Sequence, residues 1–183
     1  MKRFLEKFRE KRTVYFQSWG QFFLRLGITA NIMTVISLLA GLGAVYFLFE
    51  NNLLFIILGI LHLIADGLDG VLARLSTPTK FGEYFDYGTD RTITFLALIK
   101  IAWFINPYAY LVALLFLLTN IFYITADLKS PILFTRTIMI GLLILQLPSL
   151  AYIIVGIVSV YSLAVQIQWF VERRRNKINK KNV

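Results

Sequence analysis

Long apolar stretches alternate with short polar connections along most of the chain. A helix that crosses a bilayer needs about 20 mostly apolar residues, and six segments have this character. They cover residues 31–49, 53–65, 92–105, 108–126, 132–145 and 149–170. The second segment continues into a polar stretch, and another polar stretch precedes the third. The pattern predicts an all-α, polytopic integral membrane protein with six transmembrane helices.

The first 26 residues follow a different pattern. Aromatic and leucine residues recur at spacings of three, four or seven, with basic and polar residues mainly between them: Phe4, Phe8, Tyr15, Trp19, Phe22 and Leu26. This is typical of an amphipathic helix in the membrane interface. Such a helix can anchor the chain to anionic lipid or guide a lipid substrate. We therefore predict a juxtamembrane helix at 1–26, a six-helix transmembrane domain at 27–172 and a basic tail at 173–183.

Composition narrows the class of protein. Of 183 residues, 58% are hydrophobic and only 16% are charged, whereas about a quarter are charged in an ordinary soluble domain. These values exclude a disordered chain and argue against a soluble globule. Because cysteine is absent, disulfides, thiol nucleophiles and cysteine metal sites are excluded as well.

The positions of the basic residues predict the orientation in the membrane. A net charge of +9 would suggest nucleic-acid binding in a soluble protein, but cytoplasmic flanks of membrane proteins also collect Lys and Arg. In the six-span order, all of the 19 basic residues except Lys100 fall on one side. We expect a multi-pass protein of the cell membrane with both termini in the cytoplasm, and no nucleic-acid partner.

An acidic cluster lies where the second span ends and the third begins. Half of the ten acidic residues occur between positions 66 and 90: Asp66, Asp69, Glu83, Asp86 and Asp90. Spacings of three and four place Asp66 with Asp69, and Asp86 with Asp90, on single helix faces. Since the two helices are antiparallel neighbours in this topology, we expect the two faces to converge in one pocket near the cytoplasmic surface.

Four carboxylates in one pocket repel each other, and a divalent cation is the natural compensation. Oxygen ligands without cysteine favour Mg²⁺ or Mn²⁺ over Zn²⁺, and Mg²⁺ commonly shares its coordination with substrate phosphate. Gly67, Gly70 and Gly82 would let a ligand approach the backbone, and Arg74 suits phosphate oxygens. Two other interpretations stay open. The glycines can serve helix packing, and the acids can form an ion-pair network with Arg74 and Arg91.

These residues resemble the signature of the CDP-alcohol phosphatidyltransferase family, D-x-x-D-G-x-x-A-R followed by G-x-x-x-D-x-x-x-D. The first part is residues 66–74, and the second is Gly82, Asp86 and Asp90. The spacer at 75–81 is one residue shorter than is common in the family. Residues 27–31 also resemble its T-P-N entry to the first span, with Ala30 in place of proline.

The resemblance implies an enzyme of phospholipid biosynthesis that transfers a phosphatidyl-type group from a CDP-linked lipid to a small alcohol and releases CMP. It implies a homodimer and two Mg²⁺ or Mn²⁺ ions held by the acidic set, with Asp90 also acting as general base. That set is Asp66, Asp69, Asp86 and Asp90. It further implies CDP contacts at Asn31, Thr34, Asp66, Asp69, Gly70, Ala73, Arg74 and Gly82.

Further polar residues have less specific patterns. Lys129 and Arg136 flank the connection between the fourth and fifth spans. They can bind a phosphate on the acceptor, such as inositol phosphate or glycerol phosphate, or they can be cytoplasmic flanking charges only. His62, the single histidine, lies one turn before Asp66. We expect it to make a helix-packing hydrogen bond rather than to bind metal, because the neighbouring ligands are hard oxygens.

Two other functions fit an intramembrane carboxylate cluster. An aspartate-rich, Mg²⁺-dependent prenyl transferase would need more spans and would lack the glycine and arginine pattern. A cation transporter would place its acids near the middle of the bilayer, whereas here they gather at one end of two spans. We therefore favour the transferase.

Overall fold

The computed structural model describes residues 15–126 and 135–179, which form helices joined by short connections. Helix α1 covers residues 15–25. The following helices are α2 (Ala30–Phe47), α3 (Asn52–Leu75), α4 (Lys80–Phe104), α5 (Tyr108–Ala126), α6 (Thr135–Ile144) and α7 (Pro148–Asn179). No strand occurs within the described ranges, so the all-α prediction is confirmed for them.

Several helices have the length and composition of membrane spans. Among the described residues, three helices qualify: Ala30–Phe47, Asn52–Leu75 and Pro148–Arg173. Two shorter apolar helices cover Tyr108–Ile124 and Thr135–Ile144. Since a spanning helix needs about 20 apolar residues, these helices identify a membrane protein.

The polar stretches next to the second and third predicted spans are helical as well. Helix α3 continues beyond residue 65 to Leu75, and α4 begins at Lys80 rather than at residue 92. The Ser76 N–H donates to the Leu72 carbonyl oxygen at 2.9 Å, at the end of α3. Thr79 Oγ1 accepts from the Gly82 N–H at 3.0 Å, at the start of α4. Polar residues on one face do not end a helix whose backbone bonds and caps are intact.

The chain divides into two compact units at Ile93 and Thr94, within α4. In the first unit, α2 packs against α3. The buried face of α2 consists mostly of small residues: Met33, Thr34, Ser37, Ala40, Gly41 and Ala44. Small side chains let two helices approach closely inside a membrane.

Helix α1 has two apolar sides in this unit. Gly20 is buried, and a Cβ there would lie 2.6 Å from Leu75 Cδ1 at the end of α3. Phe23 and Leu24 pack against the cluster of Met33, Ala65 and Leu72. Five large apolar residues of α1 and the residue after it are exposed: Tyr15, Phe16, Trp19, Phe22 and Leu26. This exposed row supports the interfacial helix for the part of it that is described.

The second unit contains α5, α6, α7 and the end of α4. Helix α7 packs against both α5 and α6. A Cβ at Gly156 of α7 would lie 3.3 Å from Val112 of α5, so these two helices are close. Gln166 Nε2 donates to the Thr119 carbonyl oxygen at 3.0 Å and links the same pair. Helix α7 also extends beyond residue 170, the predicted end of its span, through the basic segment to Asn179.

Candidate active site

The structure brings three of the four predicted acidic ligands together. Asp66 and Asp69 lie on α3, Asp86 lies on α4, and one carboxylate oxygen from each lies within 4.8 Å of the others. Asp69 is only 4% exposed, while Asp66 and Asp86 are half-buried. The i, i+3 spacing on α3 turns both of its carboxylates toward α4. We call these three residues the acidic group.

The acidic group fits a divalent cation. Its donors are carboxylate oxygens, the ligands that Mg²⁺ and Mn²⁺ prefer. Like charges at this separation are unfavourable in a low-dielectric setting unless a cation or protons compensate them. The group can therefore hold a divalent metal ion.

Helix α2 contributes a hydroxyl to this site. Thr34 is 3% exposed, and its Oγ1 donates to Asp69 Oδ2 at 2.9 Å. It also lies 3.1 Å from the Ala30 carbonyl oxygen. A hydrogen bond to a ligating carboxylate orients it toward the metal. Thr34, predicted as a nucleotide contact, is thus also placed to orient Asp69.

A cavity of about 360 Å³ opens beside the acidic group. Seven of the residues that the family resemblance predicts to contact CDP or the metals line it: Asn31, Thr34, Asp69, Gly70, Ala73, Gly82 and Asp86. Asp66 and Arg74 are not among the described residues that line it, and the Arg74 side chain is exposed.

Gly82 lies where α4 approaches α2. A Cβ at this position would be 2.9 Å from Asn31 Oδ1 and 3.1 Å from Thr79 Oγ1. A side chain would therefore displace Asn31 from the cavity wall or distort the first turn of α4. By contrast, a Cβ at Gly67 meets nothing within 4 Å. The structure gives a local reason for glycine at 82 and none from packing at 67.

The ends of two helices supply positive potential to the cavity. Thr29 caps α2 and Ala30 is its first residue, while Thr79 precedes α4 and Gly82 lies in its first turn; all four line the cavity. The helix dipole favours anions at such N-termini. The cavity thus combines carboxylates that suit a cation with helix ends that suit an anion, as a metal-bound phosphate requires.

Asp90 lies outside the acidic group. It follows Asp86 by one turn of α4, is half-buried, and does not line the cavity. The next residue, Arg91, places its guanidinium 4.7 Å from the centre of the Tyr87 ring. Asp90 thus lies one turn beyond Asp86 on α4, outside the three residues whose carboxylate oxygens are within 4.8 Å of one another.

The expected packing role of His62 is confirmed. The side chain is fully buried, and its Nδ1 lies 2.9 Å from Ser37 Oγ and 2.8 Å from the Ser37 carbonyl oxygen. These contacts join α3 to α2, and His62 is not a member of the acidic group.

The predicted acceptor residues belong to the second half of the chain. Arg136, near the start of α6, is 5% exposed, and its neighbour Thr135 is 2% exposed. A buried arginine in a membrane helix is costly and is commonly functional. Lys129 lies outside the described residues.

Several cavity residues were not predicted from the sequence. They are Thr29, Ser76, Thr77, Pro78, Thr79 and Glu83. Most lie in the connection between α3 and α4, where three of the four residues carry a hydroxyl and the other is Pro78. A short hydroxyl-rich connection between two halves of an acidic motif is the signal that could have found them, because it must pass beside the site that the halves form.

Comparison with known proteins agrees with this geometry. The model of one protein family, described as CDP-alcohol phosphatidyltransferase, matches residues 27–163. The match covers most of the chain and includes the acidic group, Asp90 and the cavity residues. The chain belongs to the CDP-alcohol phosphatidyltransferase family. Membership separates it from the transporter and the prenyl transferase, which the carboxylates alone left open.

Two curated relatives share part of the sequence. An uncharacterized protein of Aquifex aeolicus is 39% identical over 72 residues, which are 38% of this chain and 37% of that protein. A protein of Thermococcus kodakarensis named bifunctional IPC transferase and DIPP synthase is 40% identical over 97 residues, 51% of this chain and 22% of that protein. Each match thus spans well under half of the relative.

Proposed function

We propose that this member of the CDP-alcohol phosphatidyltransferase family transfers a phosphatidyl-type group from a CDP-linked lipid to a small alcohol in phospholipid biosynthesis. The alcohol oxygen forms a bond to the lipid-bearing phosphorus, the bond from that phosphorus to the CMP phosphate oxygen breaks, and CMP leaves. The observation that carries this proposal is the acidic group, with oxygens within 4.8 Å of one another beside a cavity lined by the family's motif residues.

Asp66, Asp69 and Asp86 are the residues we expect to hold the metal, as two Mg²⁺ or Mn²⁺ ions. A bound divalent cation would neutralise charge on the pyrophosphate oxygens and on the departing CMP. Thr34 supports this role by donating to Asp69. Asp90 completes the family's set of four, and its position outside the acidic group favours proton transfer over ligation.

The walls of the cavity are proposed to bind the CDP moiety. Gly70, Ala73 and Gly82 leave room for it because they carry little or no side chain, and Asn31 presents an amide beside Gly82. Arg74 is exposed near the C-terminal end of α3, where its guanidinium can reach a phosphate outside the cavity.

Asp90 is our candidate general base. A hydroxyl is a poor nucleophile at neutral pH, and a carboxylate within hydrogen-bond reach can accept its proton as the oxygen attacks. A residue that is spared full metal ligation keeps a lone pair for this task. The proton from the acceptor hydroxyl would thus reside on Asp90 until it passes to water.

Arg136 is our candidate for recognising a phosphorylated acceptor, such as inositol phosphate or glycerol phosphate, together with Lys129. Its burial at 5% exposure supports a role beyond flanking charge, because charged side chains buried in membrane proteins are commonly functional.

The proposed topology has six spans, both termini and the active site facing the cytoplasm, and the domain limits 1–26, 27–172 and 173–183. Because the chain has no cysteine, single cysteines can be introduced without background labelling. We expect Glu50→Cys and Leu147→Cys to react with an impermeant maleimide from outside, and Lys80→Cys to react only after permeabilisation. The homodimer implied by the family is testable by crosslinking in the membrane.

The reaction itself is tested with purified protein in lipid nanodiscs. We expect CMP release from CDP-diacylglycerol to need both an alcohol and Mg²⁺ or Mn²⁺, and to stop with a chelator. A panel of glycerol phosphate, inositol phosphate, serine and inositol then identifies the acceptor by its lipid product. Failure to release CMP from acyl and ether CDP-lipids alike, with every acceptor, would contradict the proposal.

A further inference from the structure

A second polar contact joins α2 and α3 along the seam that leads to the acidic group. His62 Nδ1 lies 2.8 Å from the Ser37 carbonyl oxygen, and Ser37 Oγ donates to the His62 carbonyl oxygen at 3.2 Å. Since a carbonyl oxygen can only accept, Nδ1 carries the proton and donates it. Each residue therefore donates to the other, and we call this pair the Ser37–His62 bridge.

The Ser37–His62 bridge lies on the same faces of α2 and α3 as Thr34 and the acidic group. Ser37 is one turn after Thr34 on α2, and His62 is one turn before Asp66 on α3. Residues at these spacings lie on the same helix face. Both residues of the bridge are buried, as are Thr34 and Asp69. The bridge and the Thr34–Asp69 hydrogen bond are thus two contacts along one helix pair.

Gly41 fixes how closely the helices approach at the bridge. A Cβ at Gly41 would lie 2.9 Å from His62 Nδ1 and 2.8 Å from Ile93 Cδ1. Real Cβ atoms do not tolerate such distances, so a side chain would push the imidazole or Ile93 of α4. Gly41 is therefore the place where α2 meets both helices that supply the acidic group.

Helix register and the Thr34–Asp69 bond are coupled by geometry. Adjacent residues in a helix differ by about 1.5 Å along its axis, and a hydrogen bond at 2.9 Å is lost when its atoms separate by even half of that. A slide of α2 along α3 that lengthens the Thr34–Asp69 distance by that amount would thus release Asp69 from Thr34.

We infer that the Ser37–His62 bridge, seated on Gly41, sets the register of α2 against α3 and thereby holds Asp69 in position for a divalent cation. His62 is a positioning residue that acts through Thr34 and Asp69, with no contact to metal or substrate. The inference rests on the proposed function only in that the acidic group binds metal.

Its test measures Mn²⁺ binding by the full chain in nanodiscs, from the electron paramagnetic resonance signal of the free ion and without nucleotide. The variant is Gly41→Ala. The control is Gly43→Ala on the same helix, where the new Cβ would meet only the tip of Leu58 at 3.0 Å. We expect Gly41→Ala to weaken Mn²⁺ binding roughly tenfold, as loss of outer-shell support does at other metal sites. Gly43→Ala should bind like the parent.

Two substitutions at His62 separate hydrogen bonding from packing. His62→Leu removes the donor at nearly constant volume, and we expect it to weaken Mn²⁺ binding to a similar degree. His62→Asn retains an N–H near the position of Nδ1 and should restore most of the affinity. In turnover assays, Gly41→Ala and His62→Leu should raise the half-activating Mg²⁺ concentration, while kcat at saturating Mg²⁺ approaches that of the parent.

Equal Mn²⁺ affinity in Gly41→Ala and Gly43→Ala would overturn the inference, as would equal weakening by His62→Leu and His62→Asn. If His62→Leu does not fold, the glycine pair decides. A parent protein that binds Mn²⁺ but never releases CMP would contradict the proposed function alone. A parent protein that turns over normally, with variants that bind Mn²⁺ as tightly as the parent, would contradict the role of the bridge alone.

Discussion

The two units of the chain bury polar side chains in different ways. In the described part of residues 1–93, the Thr34 hydroxyl donates to the Asp69 carboxylate, and Ser37 and His62 join the same two helices through each other's backbone carbonyl oxygens. In residues 94–183, several buried polar side chains are neutral and donate to backbone carbonyls. Thr119 Oγ1 donates to the Phe116 oxygen at 2.8 Å, and Gln166 Nε2 donates to the Thr119 oxygen.

The difference shows where chemistry is concentrated. Carboxylates are costly at membrane depth, so three helices that bring three of them together and support one with a hydroxyl are organised for a ligand. Neutral side chains that donate to a backbone carbonyl satisfy their own hydrogen-bonding groups and stabilise helix packing modestly. Among the buried residues described in the second unit, Arg136 alone carries a charge, which makes it the exception there.

Removing an acid of the first unit should have the largest effect. We expect Asp69→Asn to lower turnover roughly a thousandfold or more, because an electrostatic group at the reacting centre is lost. Mn²⁺ binding should fall as well, which electron paramagnetic resonance can measure. A fully active Asp69→Asn variant would remove the contrast between the two units.

Asp90→Asn should separate the role of Asp90 in proton transfer from the role of Asp86 in metal binding, both on α4. We expect kcat to fall roughly a hundredfold or more, since a general base typically contributes that much, while Mn²⁺ and CMP binding are kept. Isothermal titration calorimetry with CMP and Mn²⁺ provides the check. Normal turnover would show that the base is another residue.

Arg136→Gln should show whether the second unit recognises the phosphate of the acceptor. A hydrogen bond to a charged group contributes about 1.5–3 kcal/mol, so we expect the KM for a phosphorylated acceptor to rise roughly tenfold to a hundredfold. The KM for the CDP-lipid should stay unchanged. Arg25→Gln, at an exposed arginine of the first unit, is the control. An unaltered acceptor KM would leave Arg136 a flanking charge.

Gly82→Ala should weaken binding of the CDP-lipid donor and leave binding of the acceptor unchanged. The new Cβ would lie 2.9 Å from Asn31 Oδ1 and displace it, and we expect a rise in the KM for CDP-lipid of about tenfold, equivalent to about 1.4 kcal/mol. Gly88→Ala on the same helix adds a Cβ that meets nothing within 4 Å. A matching rise in that control would assign the effect to the helix rather than to the cavity wall.

The smallest effect is expected from Gln166→Leu. Loss of the bond to the Thr119 carbonyl should reduce stability by about 0.6 kcal/mol, a typical value for interhelical hydrogen bonds in membranes. A thermal unfolding scan measures this change, and the Mn²⁺ affinity should not move. A large loss of Mn²⁺ binding would instead tie this helix pair to the acidic group.

Much of this architecture could be predicted from local pattern. Apolar stretches, polar connections and acids spaced three or four residues apart are enough to predict helices and to place Asp66 and Asp69 on one face. The apolar spans predicted at 53–65 and 92–105 are shorter than α3 and α4, because hydropathy reports lipid exposure. The helices themselves continue through residues 66–75 and 80–91, where the backbone bonds and the Thr79 cap are intact.

The sequence by itself determined the helical class, the composition of a membrane protein and the identity of the acidic motif, since each depends on residues close together along the chain. Only the tertiary structure decided that Thr34 reaches Asp69, that Asn31 lies against Gly82 and that Ser37 pairs with His62. These contacts join residues far apart in the chain, and their partners depend on the register and distance between packed helices. No periodicity within a single helix specifies that register.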